Sequence, residues 1–68
     1  MERTVGAIRK SESAEVRVSR GIWKGRPVVD VRVWYVPASG GDYVPSRKGL
    51  TIDAGKLPEL VALLSEAV

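Results

Sequence analysis

The sequence contains no cysteine, no histidine and no phenylalanine. Without cysteine there is neither a disulfide framework nor a thiolate metal site. Without histidine as well, the commonest nucleophile, acid–base group and metal ligands are missing. The carboxylates are scattered with no close pair, and Gly21, Gly25, Gly40 and Gly41 match neither a phosphate-binding P-loop nor a dinucleotide fingerprint. No enzyme activity, cofactor or metal is therefore expected. Long apolar runs are also lacking: the longest, Leu60 to Leu64, is far from the ~20 residues that span a bilayer. The opening stretch MERTVGAIRK carries charge where a secretory signal needs an apolar core. A soluble cytoplasmic protein is expected, associated with a nucleoid or acting inside a host cell.

Length limits the core. A chain of 68 residues is one domain and buries only roughly 60% of the surface its unfolded form exposes. With no disulfide or metal to supplement that core, oligomerisation is the remaining staple.

What is present is unevenly placed. Net charge is +3, but between Val16 and Leu50 seven basic residues (Arg17, Arg20, Lys24, Arg26, Arg32, Arg47, Lys48) face two acidic ones (Asp30, Asp42). From Thr51 onward the balance reverses, with Asp53, Glu59 and Glu66 against Lys56. Both tryptophans fall in the basic segment, in IWKGRPVVDVRVWY. Such an asymmetry suits an anionic partner.

Strand periodicity sorts these residues by face. Arg3 to Arg9 is a weak strand candidate closed by the polar cluster from Lys10 to Ser13. From Ala14, Val16 and Val18 alternate with Glu15, Arg17 and Ser19, and continuing the period puts Trp23 on the charged side unless a bulge intervenes at Arg20 or Gly21. Lys24-Gly25-Arg26-Pro27 reads as a tight hairpin connection. Val28 to Val36 is the strongest strand: Val29, Val31, Val33 and Tyr35 share one face, and Asp30, Arg32 and Trp34 the other. Proline and two glycines make 37–42 a loop. Tyr43 to Ile52 resumes as a strand, edge-placed or bulged because of Pro45 and Gly49. The last element changes period: Leu57, Leu60, Val61 and Leu64 follow the helical spacing behind Asp53 as a cap. Leu63, Ala62 and Val68 widen its apolar arc beyond one contact, so a symmetric helix-to-helix interface through Leu57, Leu60, Val61, Leu63 and Leu64 is expected. The order is α+β, an antiparallel meander with strands near 3–9, 14–23, 27–36 and 43–52, then one helix near 54–67.

Two tryptophans on a charged face, beside Lys24, Arg26 and Arg32, form a surface that can stack on bases while neutralising phosphates. Rings at the rim of a small core are the ordinary alternative. Tyr35 alternates to the apolar side, which favours packing. Arg47-Lys48-Gly49 reads as a basic turn whose glycine permits close backbone approach. Asp30 is expected to pair with a neighbouring arginine rather than perform chemistry.

In order, Trp23-Lys24-Gly25-Arg26, the strand Val29-Asp30-Val31-Arg32 with Trp34 and Tyr35 after it, Arg47-Lys48-Gly49 and a closing helix resemble the single-stranded-DNA-binding domain of the transcriptional coactivator positive cofactor four, from Ala14 onward. The resemblance implies a curved four-stranded antiparallel sheet with one C-terminal helix and a homodimer joined through the helices. It implies binding of single-stranded or unwound DNA with little sequence preference; single-stranded RNA, which offers the same phosphates and bases, is the other candidate strand. Arg17 is counted by its place among the cations, and Trp23, Lys24, Arg26, Arg32, Trp34, Tyr35, Arg47 and Lys48 are the contacts the resemblance implies. Its aromatic after the Asp-x-Arg strand falls at Trp34 or Tyr35. Val44 and Ser46 stand where eukaryotic members tend to have lysine and glycine, and the serine-rich amino-terminal region of those members has no counterpart here. A minimal bacterial or viral form, serving transcription, replication or repair, is the expectation. The other reading of the same face is a module that docks a protein partner.

Overall fold

The computed structural model describes residues 3–68. Four strands, β1 (Arg3–Ser11), β2 (Ala14–Trp23), β3 (Arg26–Tyr35) and β4 (Val44–Asp53), are followed by a 3-10 turn (Ala54–Lys56) and a helix, α1 (Leu57–Glu66). The strands pair antiparallel in chain order, forming one open curved sheet. This is the expected meander and helix.

The β2–β3 pairing runs without interruption from Ala14 opposite Tyr35 to Trp23 opposite Arg26. No bulge therefore intervenes at Arg20 or Gly21, and alternation carries Glu15, Arg17, Ser19 and Trp23 to the same face as Arg26, Asp30, Arg32 and Trp34. The hairpin closes through Lys24 (φ 51°) and Gly25 (φ 77°), the two left-handed residues of a tight turn whose twist matches the strands. β4 is paired in two pieces. Between Gly49 opposite Arg32 and Pro45 opposite Trp34 the register shifts, so Ser46, Arg47 and Lys48 bulge outward opposite Val33.

Regular helix begins at Leu57, where the apolar period begins, rather than near 54. Asp53 Oδ1 accepts a hydrogen bond from the Gly55 N–H at 3.0 Å, and the Leu57 N–H donates to the Ala54 carbonyl. Pro58 has no N–H to reach that same carbonyl four residues back, so the first turn stays 3-10 and regular α-helix starts at Leu57.

The apolar face carries Val16, Val18, Ile22, Val29, Val31, Val33, Leu50 and Ile52, with Ile8 from β1. Yet none of the described apolar residues is fully buried; the buried ones are Ser19 and Asp30, a cross-strand pair on the polar face. The 3-10 turn rests on β3, and Leu57 and Leu60 are half-buried, while Val61, Leu63 and Leu64 are exposed. The slab measures 38 × 33 × 18 Å with a radius of gyration of 13.2 Å, larger than the ~11 Å of a compact domain this long. Among the described residues no helix is long and apolar enough to cross a membrane.

Candidate nucleic-acid interface

The polar face of β2–β4 holds an open groove of about 1150 Å³, bordered by Trp23 and Arg26 at the hairpin end, Trp34, Tyr35 and Pro45 at the other, and Arg47 along β4. Its floor is set by one carboxylate. Asp30 Oδ1 accepts from Arg32 Nη2 at 2.8 Å and from the Thr51 hydroxyl at 2.7 Å, and both its oxygens accept from Arg32 Nε. Arg32 Nη1 continues to the Ser46 carbonyl at 3.0 Å. The Arg32 hydrogen bonds hold the Asp30 carboxyl below its ordinary value; burial pushes the other way, and Thr51 and the Arg32 charge add to the lowering. Asp30 thus orients an arginine, as its place in the basic strand suggests.

A lowered folded-state value means that the stabilisation is present above the ordinary carboxylate range and is lost as pH falls through the folded value. Asp30→Asn is expected to cost about 2 kcal/mol at neutral pH, the scale of hydrogen bonds to a charged group, and to flatten the loss of stability below about pH 4. Urea denaturation of both proteins from pH 7 to 2.5 checks it; parallel curves would show that the carboxylate carries no such linkage.

Arg17 is also engaged. Its Nε and Nη2 donate to Glu15 Oε2 at 2.9 and 2.7 Å, and its guanidinium carbon lies 4.0 Å from the Trp34 ring centroid and 5.7 Å from that of Tyr43. Trp34 is accordingly half-buried, and its Nε1 is buried with no acceptor among the described residues. Leaving that donor unpaired costs about 1–3 kcal/mol, against which a desolvated cation–ring contact contributes about 2 kcal/mol.

The two projecting parts are different. At the hairpin tip Trp23 is 63% exposed, Lys24 Nζ lies 5.5 Å from its ring, and Arg26 reaches Asp53 Oδ2 at 3.1 Å while most of its side chain stays in solvent. At the bulge, Arg47 and Lys48 are exposed and make no ion pair with a described residue. Ser46 shapes the bulge: its hydroxyl donates to the Val33 carbonyl at 2.7 Å and accepts from the Lys48 N–H at 3.0 Å. This role is not evident from the sequence, although a serine bonding two residues onward is a recurrent turn device. The close approach that Gly49 allows is to β3: a Cβ there would lie 2.6 Å from Arg32 Cα. Tyr35, 41% exposed, is not in a buried core; it stands opposite Ala14 and Val44 at the end of β3.

The sequence-selected residues therefore fall into two groups. Trp23, Lys24, Arg26, Arg47 and Lys48 project outward, and Trp23, Arg26 and Arg47 border the groove with Trp34 and Tyr35, whereas Arg17 and Arg32 are tied into the sheet. Leu57, Leu60, Val61, Leu63 and Leu64 lie on α1, away from the groove lining.

A curved four-stranded meander with one closing helix, an aromatic and basic hairpin tip and a basic bulge defines a small class of single-sheet proteins. The family model described as transcriptional coactivator p15 (PC4) matches residues 10–63, and the chain belongs to the PC4 family. A PC4 homolog from Burkholderia pseudomallei is similar in two crystal forms. In the tetragonal form the identity is 33% and the TM-score 0.89, covering 98% of this chain and 97% of that one; in the orthorhombic form the values are 34%, 0.85, 96% and 86%. The bacteriophage T5 homolog of the eukaryotic coactivator PC4, implicated in recombination-dependent DNA replication, shares the fold at 13% identity and a TM-score of 0.76, covering 97% of this chain and 75% of that one. A comparison with curated protein sequences gave no match.

Proposed function

We propose that the chain is a non-enzymatic DNA-binding protein of transcription or replication, acting as a homodimer that holds single-stranded DNA with little sequence preference. The observation that carries this reading is an exposed tryptophan, Trp23, bordering one open groove together with Arg26 and the bulged Arg47, with Lys24 and Lys48 exposed next to them in the chain. Exposed rings stack on bases of any identity and cations follow the backbone. The buried carboxylate, Asp30, is occupied by Arg32 and Thr51, which favours binding over proton-transfer chemistry.

The dimer is supported by surface area. The chain exposes 5469 Å², against roughly 4200 Å² for a folded monomer of its mass. The excess, about 1300 Å², is more than the ~800 Å² each partner contributes to a standard interface, and α1 supplies exposed Val61, Leu63 and Leu64. A second copy doubles the groove surface.

Titration with oligothymidine is expected to quench tryptophan emission, with affinity falling steeply as salt rises because counterions are released. Parallel titrations with duplex DNA and single-stranded RNA are expected to give weaker binding by duplex. Trp23→Ala should weaken binding roughly tenfold with little change in salt slope, while Arg47→Ala should lower the slope by about 0.7. No quenching in low salt would remove the proposal.

A further inference from the structure

Trp34 is a ring held in an unusual way. A tryptophan set into a protein surface is normally fixed through its N–H, yet Trp34 Nε1 is buried and finds no acceptor among the described residues. Its pose depends instead on a face contact, the Arg17 guanidinium 4.0 Å from the ring centroid. That guanidinium is fixed in turn by Glu15, whose Oε2 takes both Nε and Nη2. Trp34 borders the groove, whereas neither Glu15 nor Arg17 lines it. Arg17 has its side chain only 20% exposed, the same as Glu15. The other charged groups facing the pair are Arg9, opposite Glu15 on β1, and Arg32, opposite Arg17 on β3.

We propose that Glu15 and Arg17 are a positioning pair that holds Trp34 as a base-stacking wall of the groove, so that Arg17 supports binding without neutralising a phosphate. The inference rests on the nucleic-acid reading above. Its consequence runs against simple electrostatics. A carboxylate on a nucleic-acid face ordinarily weakens binding, and its removal tightens it. Here removing Glu15 releases the guanidinium that orients the ring, so binding falls although the face becomes more positive.

The test uses Trp23→Phe as the parent, so that emission reports Trp34 alone, with oligothymidine as the probe across a range of salt. Glu15→Ala and Arg17→Lys are each expected to weaken binding roughly tenfold, the scale of one lost base stack, to reduce the quenching of Trp34 and to leave the salt slope unchanged. Glu15→Gln, which keeps a carbonyl acceptor for Arg17, should recover part of the loss. Tighter binding by Glu15→Ala, or an Arg17→Lys variant equal to the parent together with a slope lowered by about 0.7 in Arg17→Gln, would overturn the proposal and make Arg17 a phosphate contact. Thermal melts accompany each variant, and because the two substitutions act on opposite halves of the pair, either one alone carries the test. Failure of the wild-type chain to bind any single strand counts against the function proposed above; variants that bind like their parent count against the pair alone.

Discussion

Replacing Leu64 with glutamate is expected to abolish assembly and folding together at micromolar concentration, rather than yield a soluble folded monomer. In the single chain Leu64 is 58% exposed, and a surface substitution of that kind would ordinarily change stability by no more than about 0.5 kcal/mol. Burial in a helix interface makes the same leucine worth about 1.5–3 kcal/mol, and a symmetric dimer carries the change twice, with an unpaired carboxylate added on each side. The single chain has no reserve to absorb this, since no described apolar residue is fully buried. The wild-type melting temperature should also rise with protein concentration, as it does when folding and association are one equilibrium. Sedimentation and circular dichroism read both outcomes. A folded Leu64→Glu monomer with the wild-type melting temperature would show that α1 is a free surface.

The second large effect is expected at Gly49. Its Cβ position falls against the Val31 carbonyl oxygen, 2.6 Å from Arg32 Cα and 2.8 Å from Arg32 Cβ, and the first two are backbone, which cannot turn aside. Gly49→Ala must part β3 from β4 at the edge of the bulge, carrying with it Arg32 and its bonds to Asp30 and Ser46. A loss of about 3 kcal/mol or more is expected, at the upper end for overpacking because no side-chain rotation relieves it. For a domain this size, whose stability is roughly 3–10 kcal/mol in total, that is enough to unfold a large fraction. Urea denaturation measures it, and a change below about 1 kcal/mol would mean that the strands separate freely there.

Different parts of the site were legible to different degrees. The face shared by Trp23 and Trp34 followed from alternation because the β2–β3 register is unbroken, so local period and tertiary side agree. Gly25 marked the hairpin turn for a reason confined to its own backbone. Ser46 gave no comparable signal: its hydroxyl bonds the carbonyl of Val33, thirteen residues away, and that partner exists only once β4 has paired. Gly49 was read as giving access to a ligand, whereas the approach it permits is to Arg32 on the neighbouring strand. Both residues lie at or beside the register shift between Arg32 and Trp34, which no single-strand pattern encodes.

The cations show the same division. By composition Arg17, Arg32, Arg47 and Lys48 are equivalent, and charge counting treats them alike. What the sequence by itself determined was local: the periods of strand and helix, the turn residues, the capping aspartate and the side of the sheet on which rings and cations fall, because each depends on neighbours within a few positions. Only the tertiary structure decided which cations are occupied and which are open. Pairing in register set Thr51 opposite Asp30, which fixes Arg32, and brought Trp34 within reach of Arg17, while Arg47 and Lys48 in the bulge make no ion pair with a described residue. A guanidinium is available to a ligand only when the fold has left it without a better partner, and partners across a sheet are set by register, not by proximity in the chain.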